Sequence, residues 1–122
     1  MRASSSLELD AVPVSARRAR HDVAKHLPLP SPVAAHVDLI IGELVANAIL
    51  HATPPIRLTV TLNDETVHIE VHDGDPELGP RAPDSRGLAI VRHFATDCGI
   101  KPNASGGKSV WADITPYQQA VD

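Results

Sequence analysis

The sequence predicts an α+β fold: a two-layer α/β sandwich in which helices lie on one face of a mixed, mostly antiparallel sheet. Three observations carry this expectation. Residues 33–51 repeat apolar side chains at helical spacing, residues 56–62 and 67–71 alternate apolar with polar side chains, and alternation returns near the end of the chain. Such alternation describes a sheet with one packed face and one wet face.

Taken in order, residues 1–6 read as a ragged start, and Leu7, Leu9 and Ala11 alternate with Glu8 and Asp10 as a short strand. Pro13 stops it. Ser15 is placed to cap a helix running through Leu27, with Arg17, Arg18 and Arg20 on its outer face. Leu29, Pro30, Ser31 and Pro32 form a stiff break. The next helix runs from about Val33 to His51, with Ser31 as its cap, Pro32 in its first turn, and Pro54 and Pro55 beyond its end. Val37, Ile40, Ile41, Leu44, Val45 and Ala48 make its buried stripe.

Ile56, Leu58, Val60 and Leu62 then form the packed side of one strand, and Val67, Ile69 and Val71 that of another. Asn63, Asp64 and Glu65 join the two as a tight antiparallel hairpin. From Gly74 to Arg86 the periodicity vanishes, and Pro76, Gly79, Pro80 and Pro83 mark a polar loop. A short helix from Gly87 to about Ala95, with Asp84 or Ser85 near its cap, follows the loop. A strand over 97–101, a Gly106-Gly107 turn and a strand from Lys108 to Ile114 complete the chain.

Length bounds this to one domain over residues 1–122, with its core in about 7–115. Hydrophobic residues at 43% and charged residues at 21% argue against global disorder, and aromatics at 2% leave Ala, Val, Leu and Ile to fill the core. Cys98 is the single cysteine, which excludes an intrachain disulfide and a cysteine-based zinc cage; a reduced, cytoplasmic setting follows. No run approaches the ~20 apolar residues of a membrane span. Eleven Lys plus Arg against 15 Asp plus Glu, a formal charge of −4, argues against a clamp along nucleic-acid phosphates.

Three elements carry candidate chemistry. Glu43 and Asn47 lie on one flank of the long helix, about 40° apart at ~100° per residue. A carboxylate there can accept a proton or orient a nucleophile, and an Asn carbonyl suits a hard cation such as magnesium. Asp73, Gly74 and Asp75 follow a strand, where an Asp can accept from an exocyclic amine. Arg86 and Gly87 open a helix, whose free amides make an anion site. Each element alone also reads as ordinary structure: a solvated Glu and a local Asn, a simple Asp-Gly turn, a plain helix cap.

Together they are more specific. Glu43-Leu-Val-Ala-Asn47-Ala-Ile-Leu-His51-Ala52 resembles the N-box of the histidine kinase/Hsp90/gyrase/MutL (GHKL) ATPase superfamily. Asp73-Gly74-Asp75-Pro76 is similar to its first glycine box, and Ser85-Arg86-Gly87-Leu88 with the residues after it to its second. Gly107-Lys-Ser-Val-Trp111-Ala resembles the closing strand of the small bacterial branch, the anti-sigma-factor serine/threonine kinases and related regulatory ATPases.

The resemblance implies a Bergerat-type ATP-binding fold and a regulatory protein that uses ATP and Mg2+. It would hold a sigma factor or comparable regulator and phosphorylate a serine on an antagonist protein. Glu43 would be the catalytic base or water-orienting group, and Asn47 the magnesium ligand. Asp73 would accept from the adenine amino group, Gly74 would let the base pack closely, and Asp75 would adjoin it. Arg86, Gly87 and Leu88 would meet the phosphates, and Ser109 (or Lys108) would stand where a Thr often helps hold the adenine. The loop from Asp75 to Arg86 would be a lid.

Asp75 and Ser85 stand where the superfamily usually has glycine. These departures suggest an alternative, a non-catalytic nucleotide-dependent protein-binding module; a detached histidine-kinase-like catalytic domain is another. Arg17, Arg18 and Arg20 are a candidate partner surface, and the first strand could pair across a two-fold axis in a homodimer. His68 and His72 sit ~13 Å apart along a strand at ~3.3 Å per residue, too far for one zinc ion. Gly106-Gly107-Lys108-Ser109 leads into a strand, whereas a phosphate-binding P-loop must open a helix.

Overall fold

Period-two patterning does produce a five-stranded sheet, in the order β1-β2-β3-β5-β4. The computed structural model describes residues 2–51, 53–75 and 86–115. Along the chain these form β1 (Arg2–Leu9), α1 (Val14–His26), α2 (Val33–His51), β2 (Ile56–Asn63), β3 (Thr66–Asp73), α3 (Arg86–Phe94), β4 (Asp97–Pro102) and β5 (Lys108–Ile114). The sequence predicted a mixed, mostly antiparallel sheet, and all four strand pairings are antiparallel. β4 lies outside β5, so β3 and β5 meet directly at the centre.

The predicted ragged start is instead the first half of β1, which pairs along its whole length from Arg2↔Asn63 to Leu9↔Ile56. Ala3 and Ser5 continue the inward period of Leu7 and Leu9 with small side chains, so a search for apolar residues passes over them. On the outward side Ser4 meets Thr61 at 3.4 Å and Ser6 meets Thr59 at 3.3 Å. β1 stops at Leu9, not Ala11, because the Asp10 carbonyl accepts from Val12 N–H and from the Ser15 hydroxyl, turning the chain.

Ser15 is therefore inside the first turn of α1, fully buried, and not its cap. At α2 the first amides donate to the Pro30 and Pro32 carbonyls, which take the role expected of the Ser31 hydroxyl.

The core lies between the sheet and α2. Val37, Ile40, Ile41, Leu44 and Val45 face Ile56, Leu58, Val60, Val67, Ile69, Val71, Ala112 and Ile114, all at most 2% exposed. Burial of each such aliphatic side chain contributes roughly 1.5–3 kcal/mol. α2 packs on β3 and β5 and against both α1 and α3, with His36 and Phe94 rings 4.9 Å apart at the second contact.

Contrary to the sequence reading, Val33–Leu50 is long and apolar enough to cross a membrane by length and composition, with mean hydropathy 1.7. Its stripe is nonetheless the face that covers the sheet.

Candidate functional site

Glu43 and Asn47 are half-buried on one flank of α2, bordering the buried Leu44, Val45 and Ala48. Just before them Gly42 leaves room for α1: a Cβ there would come 2.9 Å from Arg20 Nη1. Arg20 thus lies half-buried across α2, one turn from the buried Val23. Helical geometry divides the predicted outward trio. Arg17 and Arg18 remain exposed and line a groove of about 350 Å³ with Leu7, His21, Asp22 and Lys25.

Asp73 ends β3. Parity with Val67, Ile69 and Val71 turns its side chain to the helix-covered face, the side on which α2 carries Glu43 and Asn47. Directly opposite in register stands Lys108, the first residue of β5. Lys108 Nζ donates to Asp73 Oδ1 at 3.2 Å and lies 3.1 Å from Oδ2, and Asp75 Oδ2 is 3.5 Å away. The three side chains are only 9%, 2% and 5% exposed, in the order Lys108, Asp73, Asp75.

The backbone N–H of Asp75 also donates to Asp73 Oδ1, at 2.7 Å. Oδ1 is then filled by two donors, while Oδ2 keeps a lone pair. The sequence analysis placed Asp73 and Asp75 here and offered Lys108 as an alternative to Ser109 beside the adenine, but missed the ion pairs that join Lys108 to both carboxylates.

Backbone contacts hold this corner. Asn103 Nδ2 donates to both the Asp73 carbonyl at 3.2 Å and the Lys108 carbonyl at 2.9 Å. Its Oδ1 accepts from Ser105 and Gly107 amides. A Cβ on Gly107 would overlap the Asp73 carbonyl oxygen, so glycine is required there. Gly74 N–H donates to the Thr53 carbonyl at 2.7 Å, and a Cβ on Gly74 would meet the Pro54 carbonyl at 2.9 Å. Its lack of a side chain is thus accounted for by the connection that follows α2, and this contact ties Asp73 to the end of that helix.

Ser109 does not join this group. One residue on from Lys108, it points through the sheet to the uncovered face, where its hydroxyl meets His72 Nδ1 at 2.8 Å. There it belongs to a polar network that composition had not suggested. His68 bridges Glu70, at 2.7 Å, and Asp113, while Lys101 approaches Glu70 at 3.4 Å. Burial works against a charged His68, but hydrogen bonds to Glu70 and Asp113 outweigh it and raise its pKa above 6.5. Burial likewise opposes a charged Glu70, yet His68, Ser109, His72 and Lys101 together lower it below 4.5.

Arg86, Gly87 and Leu88 form the opening of α3. The predicted lid and the expected cap residues Asp84 and Ser85 lie outside the described residues, as do Pro76 and Ala52.

With this arrangement in place, residues 6–114 match the model of the histidine kinase-like ATPase domain. The chain belongs to the histidine kinase-like ATPase family. An ATPase domain implies nucleotide binding. Among solved structures the chain is similar to the RsbU and RsbW domains of Rv1364c from Mycobacterium tuberculosis, with a TM-score of 0.71 and 22% identity. That match covers 92% of this chain and 31% of the other, so the chain spans about a third of the protein it resembles. It supports the two-layer fold. Comparison with curated proteins finds no match.

Proposed function

We propose that the chain is an ATP- and magnesium-dependent regulatory protein of the anti-sigma-factor kinase type, acting in a cytoplasmic setting. It holds a sigma factor or comparable regulator and transfers the terminal phosphoryl group of ATP to a serine of an antagonist protein. The observation that carries this reading is Asp73, a buried carboxylate on the helix side of the sheet with a lone pair of Oδ2 uncommitted. The amino group of adenine is a donor suited to that acceptor.

The donor set on α2 fits the remainder. The Asn47 carboxamide oxygen suits magnesium, which when bound supplies positive charge against the phosphates. Glu43 orients the seryl hydroxyl and takes its proton as the new O–P bond forms and the bond to ADP breaks. Gly74 and Asp75 adjoin the base, and Arg86, Gly87 and Leu88 meet the phosphates at the α3 N-terminus. Because Ser109 faces the other way, Lys108 takes its place beside the base. Arg17 and Arg18 offer an acidic partner a basic groove, and the edge strand β1 offers a second copy a pairing surface.

Calorimetry with ATP, ADP and GTP, each with and without magnesium, tests the reading. Micromolar, magnesium-dependent binding of ATP in preference to GTP is the expected result, and no binding of ATP by folded protein would overturn it. A second reading, a non-catalytic module whose shape depends on nucleotide, is favoured by the Lys108 ammonium already seated on Asp73. Labelled ATP incubated with candidate partners separates the two: label on a partner serine supports the kinase.

A further inference from the structure

We propose that Lys108 is a base-reading residue: it donates to ring nitrogen N1 of adenine while Asp73 accepts from the adjacent amino group. This rests on the nucleotide-binding reading above and assigns to it a specificity determinant.

The geometry supports the assignment in three ways. First, strand parity puts Lys108 with Val110, Ala112 and Ile114 on the helix-covered face, opposite Asp73 in register. The neighbouring Lys101 and Arg57 are instead on the uncovered face, paired with Glu70 and Glu8.

Second, the pair is left with matched capacity. Of the three ammonium protons of Lys108, one is committed to Asp73 Oδ1 in a hydrogen bond, and the 3.5 Å approach to Asp75 is an ion pair only. Asp73 Oδ2, 3.1 Å from the same Nζ, retains a lone pair. One donor and one acceptor therefore stand side by side, which is the complement of the amino–N1 edge of adenine.

Third, the Lys108 side chain is only 9% exposed, and of its three ammonium donors one is placed in a hydrogen bond, so a buried cation gains from each further acceptor that meets it. A ring nitrogen would be one such acceptor.

The test compares binding of ATP and 1-deaza-ATP, which keeps the amino group and replaces N1 with C–H. Full-length wild type, Lys108→Met and Lys108→Arg are titrated at one magnesium concentration, with thermal unfolding as the check of folding. Wild type is expected to bind 1-deaza-ATP about 10-fold more weakly than ATP, the loss of one charge-assisted hydrogen bond. Lys108→Met is expected to bind the two alike, and Lys108→Arg to retain the preference.

Equal affinity in wild type overturns the proposal, and that comparison stands even if Lys108→Met fails to fold. A preference kept by Lys108→Met also overturns it. So does tighter ATP binding by Lys108→Met than by wild type, because Lys108 would then be a plug in the site. Failure of folded wild type to bind either nucleotide is a separate result, and it removes the nucleotide reading itself.

Discussion

At the residue scale, Glu43 and Asn47 share a flank of α2 yet are assigned different work, and single substitutions can separate them. Asn47→Ala is expected to abolish magnesium-dependent ATP binding, whereas Glu43→Ala spares binding and removes phosphoryl transfer. Titration calorimetry and a phosphotransfer assay on the same samples check this, and unchanged nucleotide affinity in Asn47→Ala would contradict the assignment. Both residues, with Asp73, were legible in the sequence because spacing and strand-end position are local properties. Lys108 was legible as a position but not as the partner of Asp73. Parity with Val110, Ala112 and Ile114 held the signal, whereas the Asp73↔Lys108 register is a long-range property that appears only when β3 and β5 pair.

At the element scale, the two glycines before β5 make a contrast. Gly106 has φ +90° with open space around its Cβ position, so Gly106→Ala costs about 1–2 kcal/mol from backbone conformation alone. Gly107→Ala forces a Cβ into the Asp73 carbonyl and is expected to cost more, about 1–3 kcal/mol for the overlap plus the displaced Asp73–Lys108 pair. Urea denaturation of both variants gives the order, and equal losses would show that the β3–β5 corner adjusts freely. Ile69→Ala, at the centre of the sheet and fully buried, is expected to lose about 2–5 kcal/mol. α2 and the β2–β3 hairpin were plain from apolar periodicity. β1 was half missed because serine and alanine hold its inward positions, and the Ser15 and Ser31 caps were misplaced because backbone carbonyls and a turn at Asp10 compete for the same groups.

At the scale of the whole molecule, the sheet divides the chain into a helix-covered side bearing Asp73 and Lys108 and an uncovered side bearing His68, Glu70, His72, Ser109 and Asp113. The raised pKa of His68 means its protonated form stabilises the fold fully below pH 6.5, and that contribution is lost as pH climbs through the folded value. The lowered pKa of Glu70 works in the opposite sense: its contribution is present above 4.5 and is lost as pH falls through the folded value. Stability from this network is therefore greatest between 4.5 and 6.5, and Tm is expected to decline as pH rises from 6.5 through the raised pKa of His68. His68→Asn should flatten that decline, and an equally steep decline in the variant would assign it elsewhere. Trp111, the chain's one tryptophan, stacks 5.9 Å from His68 on this same side. A charged imidazole quenches indole fluorescence, so emission should brighten as pH climbs above 6.5 and His68 loses its proton, giving an unlabelled optical titration of the uncovered face.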